Sequence, residues 1–214
     1  MNTIHTFGDS FTFGHGCVDN CAFKEYYVYK KKDDEIWPNH LANKLGMNVI
    51  NHGKNGFCNE QIFDSVVRNF DSIKENDVVI IEKTYHDRLS VPTNSEWVHA
   101  LSYIETMEDS GWIRKLEKSF SKEEMETLIN FQYYFSVKKL YEKRNNDRFE
   151  FLKKILMNII KVKDCIIWNL PEMYDSFENI NTATNGKFLD YHFSFKGHKQ
   201  FAEYIENVLI KKIL

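Results

Sequence analysis

The stretch "FGDSFTFGHG", Phe7 to Gly16, sets a serine directly behind Gly-Asp at the end of a short alternating apolar run, "TIHTF". A serine hydroxyl is a weak nucleophile at neutral pH; it needs an imidazole base, and the base benefits from a carboxylate that fixes its tautomer. Near the other end of the chain, Asp190 and His192 can supply both from one segment, "DYHFSFKGH". A general base of this kind contributes about 10²- to 10⁴-fold in rate. The negative charge that develops on an attacked carbonyl also needs hydrogen-bond donors, each worth about 3 kcal/mol. The backbone amides of Ser10 and Gly56 are natural candidates. These are the parts of an acyl-transfer site.

Such a site requires elements that bring distant residues to one edge. "TIHTF" reads as a first strand, with Gly8 letting the backbone leave it sharply. "WPNHLANKLG" reads as a short helix, with Pro38 in its first turn and Gly46 as its C-terminal cap. "NVIN" follows as a strand, and "EQIFDSVVRNFDSIK" as an amphipathic helix with Ile62, Val66, Phe70 and Ile73 on one side. "DVVIIEK" is a continuous β-branched run of the kind found in strands covered on both faces. "DCIIWNL" returns as a strand, and the tail from His192 onward ends in an amphipathic helix. Strands alternating with helices predict a doubly wound α/β sheet. Its C-terminal strand ends collect Ser10, the loop around Gly56, the loop around His86 and the segment bearing Asp190 and His192.

Residues from Ser95 to Lys163 carry long helical periodicity, read as a helical insertion over about 95–163 within a single domain spanning 1–214. Its aromatic run, Phe131, Tyr133, Tyr134, Phe135 and Tyr141, is read as core, since apolar residues at helical spacing usually are. A chain of 214 residues with 43% hydrophobic content can bury one core. A formal net charge of -3 with both signs interspersed leaves no footprint for nucleic acid and no polybasic anchor. No run approaches the roughly 18 apolar residues of a membrane span, and the N-terminus lacks the pattern of a secretory leader, so a cytoplasmic protein starting at Met1 is expected. Cys17, Cys21, Cys58 and Cys165 show no disulfide-framework spacing and are expected to be reduced. His15, Cys17 and Cys21 lack the second pair that would complete a tetrahedral site, so no metal and no other cofactor is expected.

The blocks "GDSFTFG", "NHGKNGFCNE", "VVIIEKTYHDR" and "DYHFSFKGHKQFA", in this order along nearly the whole chain, resemble those of the SGNH (GDSL-type) hydrolase family. The resemblance implies a flavodoxin-like three-layer α/β/α sandwich with a parallel sheet, and ester hydrolysis through an acyl-serine intermediate without a metal. By the first block Ser10 is the nucleophile, with its own amide in the oxyanion hole. By the second, Gly56, five residues after Asn51, is a second oxyanion donor. The third block departs from the family's Gly-x-Asn-Asp, because an ungapped match places His86 at the asparagine and Asp87 beside it. An imidazole can donate a hydrogen bond, so either His86 replaces the amide or the loop is arranged differently. Arg88 is either a site residue or an ion-pair arginine. The fourth block resembles the family's His-Pro-(x)-Gly-His ending, with His192 as base. Family members place the aspartate three residues earlier, here Leu189, or two, here Asp190, and Asp190 is taken. His198, beside Gly197 at the opening of the last helix, is expected to be structural or capping, and Asp9 to bond amides around the serine turn.

The leading expectation is therefore a serine esterase acting on a small-molecule or glycan ester, such as an O-acetyl group on a carbohydrate, or on a lipid. A binding module that has lost catalysis, signalled by the altered third block, and an acyltransferase using the same intermediate are the alternatives.

Overall fold

The computed structural model describes residues 2–15, 33–85, 88–92, 97–100, 120–127, 130, 140–183 and 191–211. Four strands, β1 (Thr3–Phe7), β2 (Asn48–Asn51), β3 (Val78–Lys83) and, late in the chain, β6 (Asp164–Asn169), form an all-parallel sheet in the order β2-β1-β3-β6. This is the beginning of the flavodoxin-like doubly wound order. Ile4 of β1 lies between Val49 and Val78, and Ile81 of β3 faces Ile167 of β6.

The apolar run of β3 explains the layering. Val78 and Ile80 point to one face, where they meet Trp37, Leu41, Phe201 and Ile205; Val79 and Ile81 point to the other, against Ile62, Val66, Phe149 and Leu152. The first face is covered by α2 (Trp37–Leu45) and the long C-terminal helix α7 (Phe195–Lys211), the second by α3 (Asn59–Arg68) and α4 (Leu140–Ile155); the one-turn helices α5 (Leu170–Met173) and α6 (Ile180–Ala183) lie between β6 and α7. Both faces are apolar because both are covered, and the result is a three-layer α/β/α sandwich.

Local signals fix the helix ends. Pro38 occupies the first turn of α2, and Gly46, at φ +61°, turns its amide back onto the carbonyls of Ala42 and Asn43. The helix read through Lys74 stops earlier: Asn69 Nδ2 donates to Ser65 O at 2.7 Å and Ser72 Oγ to Asn69 O at 2.7 Å. These side chains satisfy carbonyls that another α-turn would have used, and the chain tightens into a 3₁₀ turn over Phe70–Ser72. A second difference begins just before the stretch read as helical and runs into it. β4 (Leu89–Pro92) and β5 (Trp97–Ala100) pair antiparallel as a separate two-stranded sheet. Trp and Val favour strands, and four residues are too few to register against a long helical window. The aromatic run from Phe131 to Phe135 lies outside the described residues, as does the side chain of Tyr141. No helix among the described residues is long and apolar enough to cross a membrane.

One polar cluster is built into the second face of the sheet. His5, 1% exposed in the middle of β1, has Nε2 3.4 Å from Asp77 Oδ2 and Nδ1 3.2 Å from His52 Nε2. Asp77 is fixed by the amides of Thr3 and Lys74, at 2.7 and 2.8 Å. His5 Nε2–H therefore donates to the carboxylate, which leaves Nδ1 to accept from His52. Burial pushes both imidazoles down, His52 to about 4 with the added effect of His5 beside it. Above pH 6.5 His52 is neutral in the folded and unfolded chain alike. Between 6.5 and about 4 the unfolded chain takes up a proton that the fold refuses, so this site costs stability as pH falls through that window. In urea titrations, the stability of His52→Gln relative to wild type should rise steadily between pH 6.5 and 4. A pH-independent gap would contradict the assignment.

Candidate active site

β1 ends at Phe7, and after Gly8 and Asp9 a one-turn helix, α1 (Ser10–Phe13), begins with Ser10. Asp9 caps that turn: its Oδ1 accepts the Phe11 amide at 2.9 Å. Gly14, at φ +88°, closes it with an amide hydrogen bond to Ser10 O. Ser10 is thereby carried at the C-terminal edge of the sheet, 6% exposed, with its hydroxyl held by the turn rather than by a long loop.

The loop that follows β2 is stitched to this turn. His52 N donates to Thr6 O at 2.8 Å and Lys54 N to Gly8 O at 3.1 Å. The side chain of Asn51 bridges the two segments, donating to Thr12 O at 2.8 Å and accepting the Gly53 amide at 2.9 Å. Gly53 lies so close that a Cβ there would sit 2.6 Å from Phe13 N. Gly56 follows in a turn at φ +76°, a conformation that favours glycine, just before α3.

From the other end of the chain, His192 precedes α7. Its carbonyl accepts the Ile180 amide at 3.0 Å, and an antiparallel bridge joins Phe193 to Asn179. Ser194 then caps α7, accepting the Gly197 amide at 3.1 Å while its hydroxyl donates to Glu178 Oε1 at 2.6 Å. The Glu178–Ile180 segment thus clamps the backbone on both sides of the imidazole. His192 Nε2 comes to 2.8 Å from Ser10 Oγ, across 182 positions of sequence. The ring is supported by Phe11, with centroids 4.8 Å apart, and by His15, at 4.7 Å. A hydroxyl paired with an imidazole in this way can be deprotonated as it attacks an electrophile.

The two other sequence-derived candidates, Asp190 and His86, lie outside the described residues. Of the remaining expectations, Asp9 is wholly buried. Besides the Phe11 amide, its carboxylate accepts the Thr84 hydroxyl at 2.8 Å and a close hydrogen bond from the Arg88 guanidinium. Burial alone would push this carboxyl up; the hydrogen bond from Glu82, the Arg88 charge, the Phe11 amide and the Thr84 hydroxyl overcome it and hold Asp9 below the usual carboxylate range. Arg88 also lies over the Tyr85 ring, 5.3 Å from its centroid. His198, fully buried, accepts the Trp37 amide on Nδ1 at 3.3 Å, so it caps α2 rather than its own helix.

Several residues near the serine carry no sequence signal. His15 was noticeable only as a conceivable metal ligand, yet its Nδ1 lies 3.1 Å from Asn55 Nδ2, next to Gly56, and its ring against His192. Asn59 pins the loop after β3 by pairing both its amide atoms with the Thr84 backbone, at 3.0 and 2.9 Å. Glu82 reads as one more strand residue, but its Oε2 accepts from Asp9 N, Thr12 N and Thr12 Oγ1, at 3.2, 3.2 and 2.5 Å. Gly8 proves necessary for space: a Cβ there would collide with Glu82 Oε2 and Thr12 Oγ1. Among the described residues, no group of three or more His, Cys, Asp and Glu side chains is arranged to hold a metal ion.

No family model matches the chain, and no curated protein matches it. Its similarity is to solved structures. A G-D-S-L family protein from Desulfitobacterium hafniense is 15% identical, with TM-score 0.43, over 97% of this chain and 99% of that one. Est24, a carbohydrate acetylesterase from Sinorhizobium meliloti, is 12% identical, with TM-score 0.43, over 99% of each. A carbohydrate esterase is 14% identical, with TM-score 0.43, over 98% of this chain, which spans 65% of that one. Likeness of this size assigns no activity.

The buried ion pair under the serine turn gives a direct expectation. Removing the guanidinium leaves the Asp9 carboxylate buried and short of its counter-charge, a change that costs about 3 kcal/mol. Arg88→Leu should lower unfolding stability by about that amount in urea titration; a loss under about 0.5 kcal/mol, the range of ordinary surface substitutions, would make Arg88 a surface residue.

Proposed function

We propose that the chain is a serine-dependent ester hydrolase working through an acyl-serine intermediate. The observation that carries this reading is the 2.8 Å approach of His192 Nε2 to Ser10 Oγ at the C-terminal edge of a parallel sheet. In the proposed reaction His192 Nε2 takes the Ser10 proton as Oγ attacks the ester carbonyl. The oxyanion that forms is stabilised by the amides of Ser10 and Gly56 and by the imidazole of His86, and Asp190 orients the base through Nδ1. Collapse breaks the bond to the alcohol oxygen, which leaves with the proton held by His192. Water, deprotonated by the same imidazole, then attacks the acyl-serine; the acid departs and Ser10 regains its proton. The turn geometry supports the assignment of Ser10, because Asp9, Asn51 and Glu82 fix the backbone on either side of it while its hydroxyl faces the base. The substrate class we infer is a small acyl ester, such as an O-acetyl group on a carbohydrate or an acyl chain on a lipid.

Turnover of p-nitrophenyl acetate tests the reading. Ser10→Ala should abolish it while leaving the unfolding transition in place, and His192→Ala should lower kcat by about 10²- to 10⁴-fold. His86→Ala should cost about 10²- to 10³-fold if that side chain is an oxyanion donor. Undiminished turnover in Ser10→Ala contradicts the mechanism; an undiminished rate in His86→Ala removes that residue from it.

A further inference from the structure

Two acidic side chains are buried back to back beneath the serine turn, and both are wholly inaccessible to solvent. Their hydrogen bonds divide them sharply. Asp9 is surrounded by donors: the Phe11 amide, the Thr84 hydroxyl and the Arg88 guanidinium. Glu82 Oε2 accepts three hydrogen bonds, from the Asp9 amide, the Thr12 amide and the Thr12 hydroxyl. Glu82 Oε1, equally buried, receives none from the described residues. The charge on Asp9 bears directly on Glu82 in the same water-free space, and a single proton shared by the two carboxyl groups relieves that repulsion. The Arg88 charge, with the Phe11 amide and the Thr84 hydroxyl, favours the Asp9 anion, so the proton belongs to Glu82, on the oxygen that no donor among the described residues reaches.

We propose that Glu82 is a positioning residue of the serine site: a buried neutral carboxylic acid that donates to the Asp9 carboxylate and, through its other oxygen, fastens the Ser10 turn to β3. Among the described residues, the groups facing it are Asp9 and Thr12 from the serine turn and, on the chain after β3, the Arg88 guanidinium. Burial, and then the Asp9 charge, act on it in the same direction, pushing its carboxyl well above the usual range. The arrangement also accounts for Gly8, whose missing side chain leaves the space Glu82 occupies. An anion at Glu82 would set two buried negative charges against one guanidinium. Fastening matters because small displacements of a reacting group cost rate out of proportion, about 100-fold for 1 Å.

The sign of the proton linkage decides the matter without any substrate. A Glu82 that stays protonated in the fold is ionised in the unfolded chain above its ordinary value of 4.5, so wild type loses stability with rising pH and a glutamine does not. Glu82→Gln keeps an oxygen for the three donors and places an N–H where the acid proton was. In urea titrations from pH 4.5 to 7, its unfolding equilibrium should shift in its favour relative to wild type by up to tenfold per pH unit. A pH-independent gap would mean that Glu82 is an ordinary anion and would overturn the proposal. The fastening is read separately by amide exchange of the Gly8–Phe13 segment. Protection should persist in Glu82→Gln and fall in Glu82→Asp, whose shorter side chain withdraws the accepting oxygen; equal protection in both would also overturn it. The consequence for rate rests on the esterase reading: Glu82→Asp should lose about 100-fold in kcat at unchanged KM, with Glu82→Gln retaining wild-type kcat. A wild type without ester turnover would defeat that reading and leave the linkage and exchange results to judge Glu82.

Discussion

The contact between Ser10 Oγ and His192 Nε2 joins the first turn of the chain to its last helix, and the rest of the fold serves to hold those two backbones in place. The serine side is fixed by the sheet: β1 delivers it to the C-terminal edge, and β2 and β3 on either side supply Asn51 and Glu82 to tie the turn down. The histidine side is fixed by a clamp of Glu178, Asn179 and Ile180 and by the capped start of α7. α7 is in turn seated on the sheet through Phe201, Ile205 and Leu209. A side-chain pair that bridges 182 positions therefore depends on main-chain hydrogen bonds and packing, both far stiffer than the two side chains alone.

Polar burial is concentrated where it constrains this geometry. The Asp9, Glu82, Thr84 and Arg88 network lies directly behind the serine, with the Asp9 carboxylate accepting from the Phe11 amide, the Thr84 hydroxyl and the Arg88 guanidinium. Such a network is costly to disturb, because any member removed leaves another without its partner in a region that water does not reach. The Asp77, His5 and His52 chain, on the opposite face of β1, has the layout of a carboxylate-oriented imidazole but, among the described residues, no nucleophile at its end. It fastens the start of β3 to the loop that carries Gly56, and its two imidazoles are held neutral by burial.

Much of the architecture was legible in the sequence because it follows from period and composition. The unbroken β-branched run of β3 required cover on two faces, Pro38 and Gly46 marked the ends of α2, and the Gly-Asp-Ser and His-x-Ser-x-x-Gly-His segments at the two ends singled out Ser10 and His192. What escaped was decided by contacts between distant segments. Glu82 sits in an apolar run and looks like a solvent-edge residue, though it points into the core beneath the serine. Glu178 and Asn179 have no motif, and their importance comes from a two-residue bridge to His192 and Phe193. The strand at Trp97–Ala100 was lost inside a window whose average periodicity is helical, and the end of α3 was decided by the Asn69 and Ser72 side chains rather than by hydrophobic spacing. Arg88 could not be placed as site or surface until its partner, 79 positions away, was known.

The proposed chemistry requires Ser10 to be an activated nucleophile. The most direct measurement is the intact mass of folded wild-type protein after exposure to a fluorophosphonate, followed by peptide mapping of the adduct. The expected result is a single adduct on Ser10, absent from Ser10→Ala and strongly slowed in His192→Ala. A wild type that stays unlabelled, or labels equally well without Ser10, would contradict it.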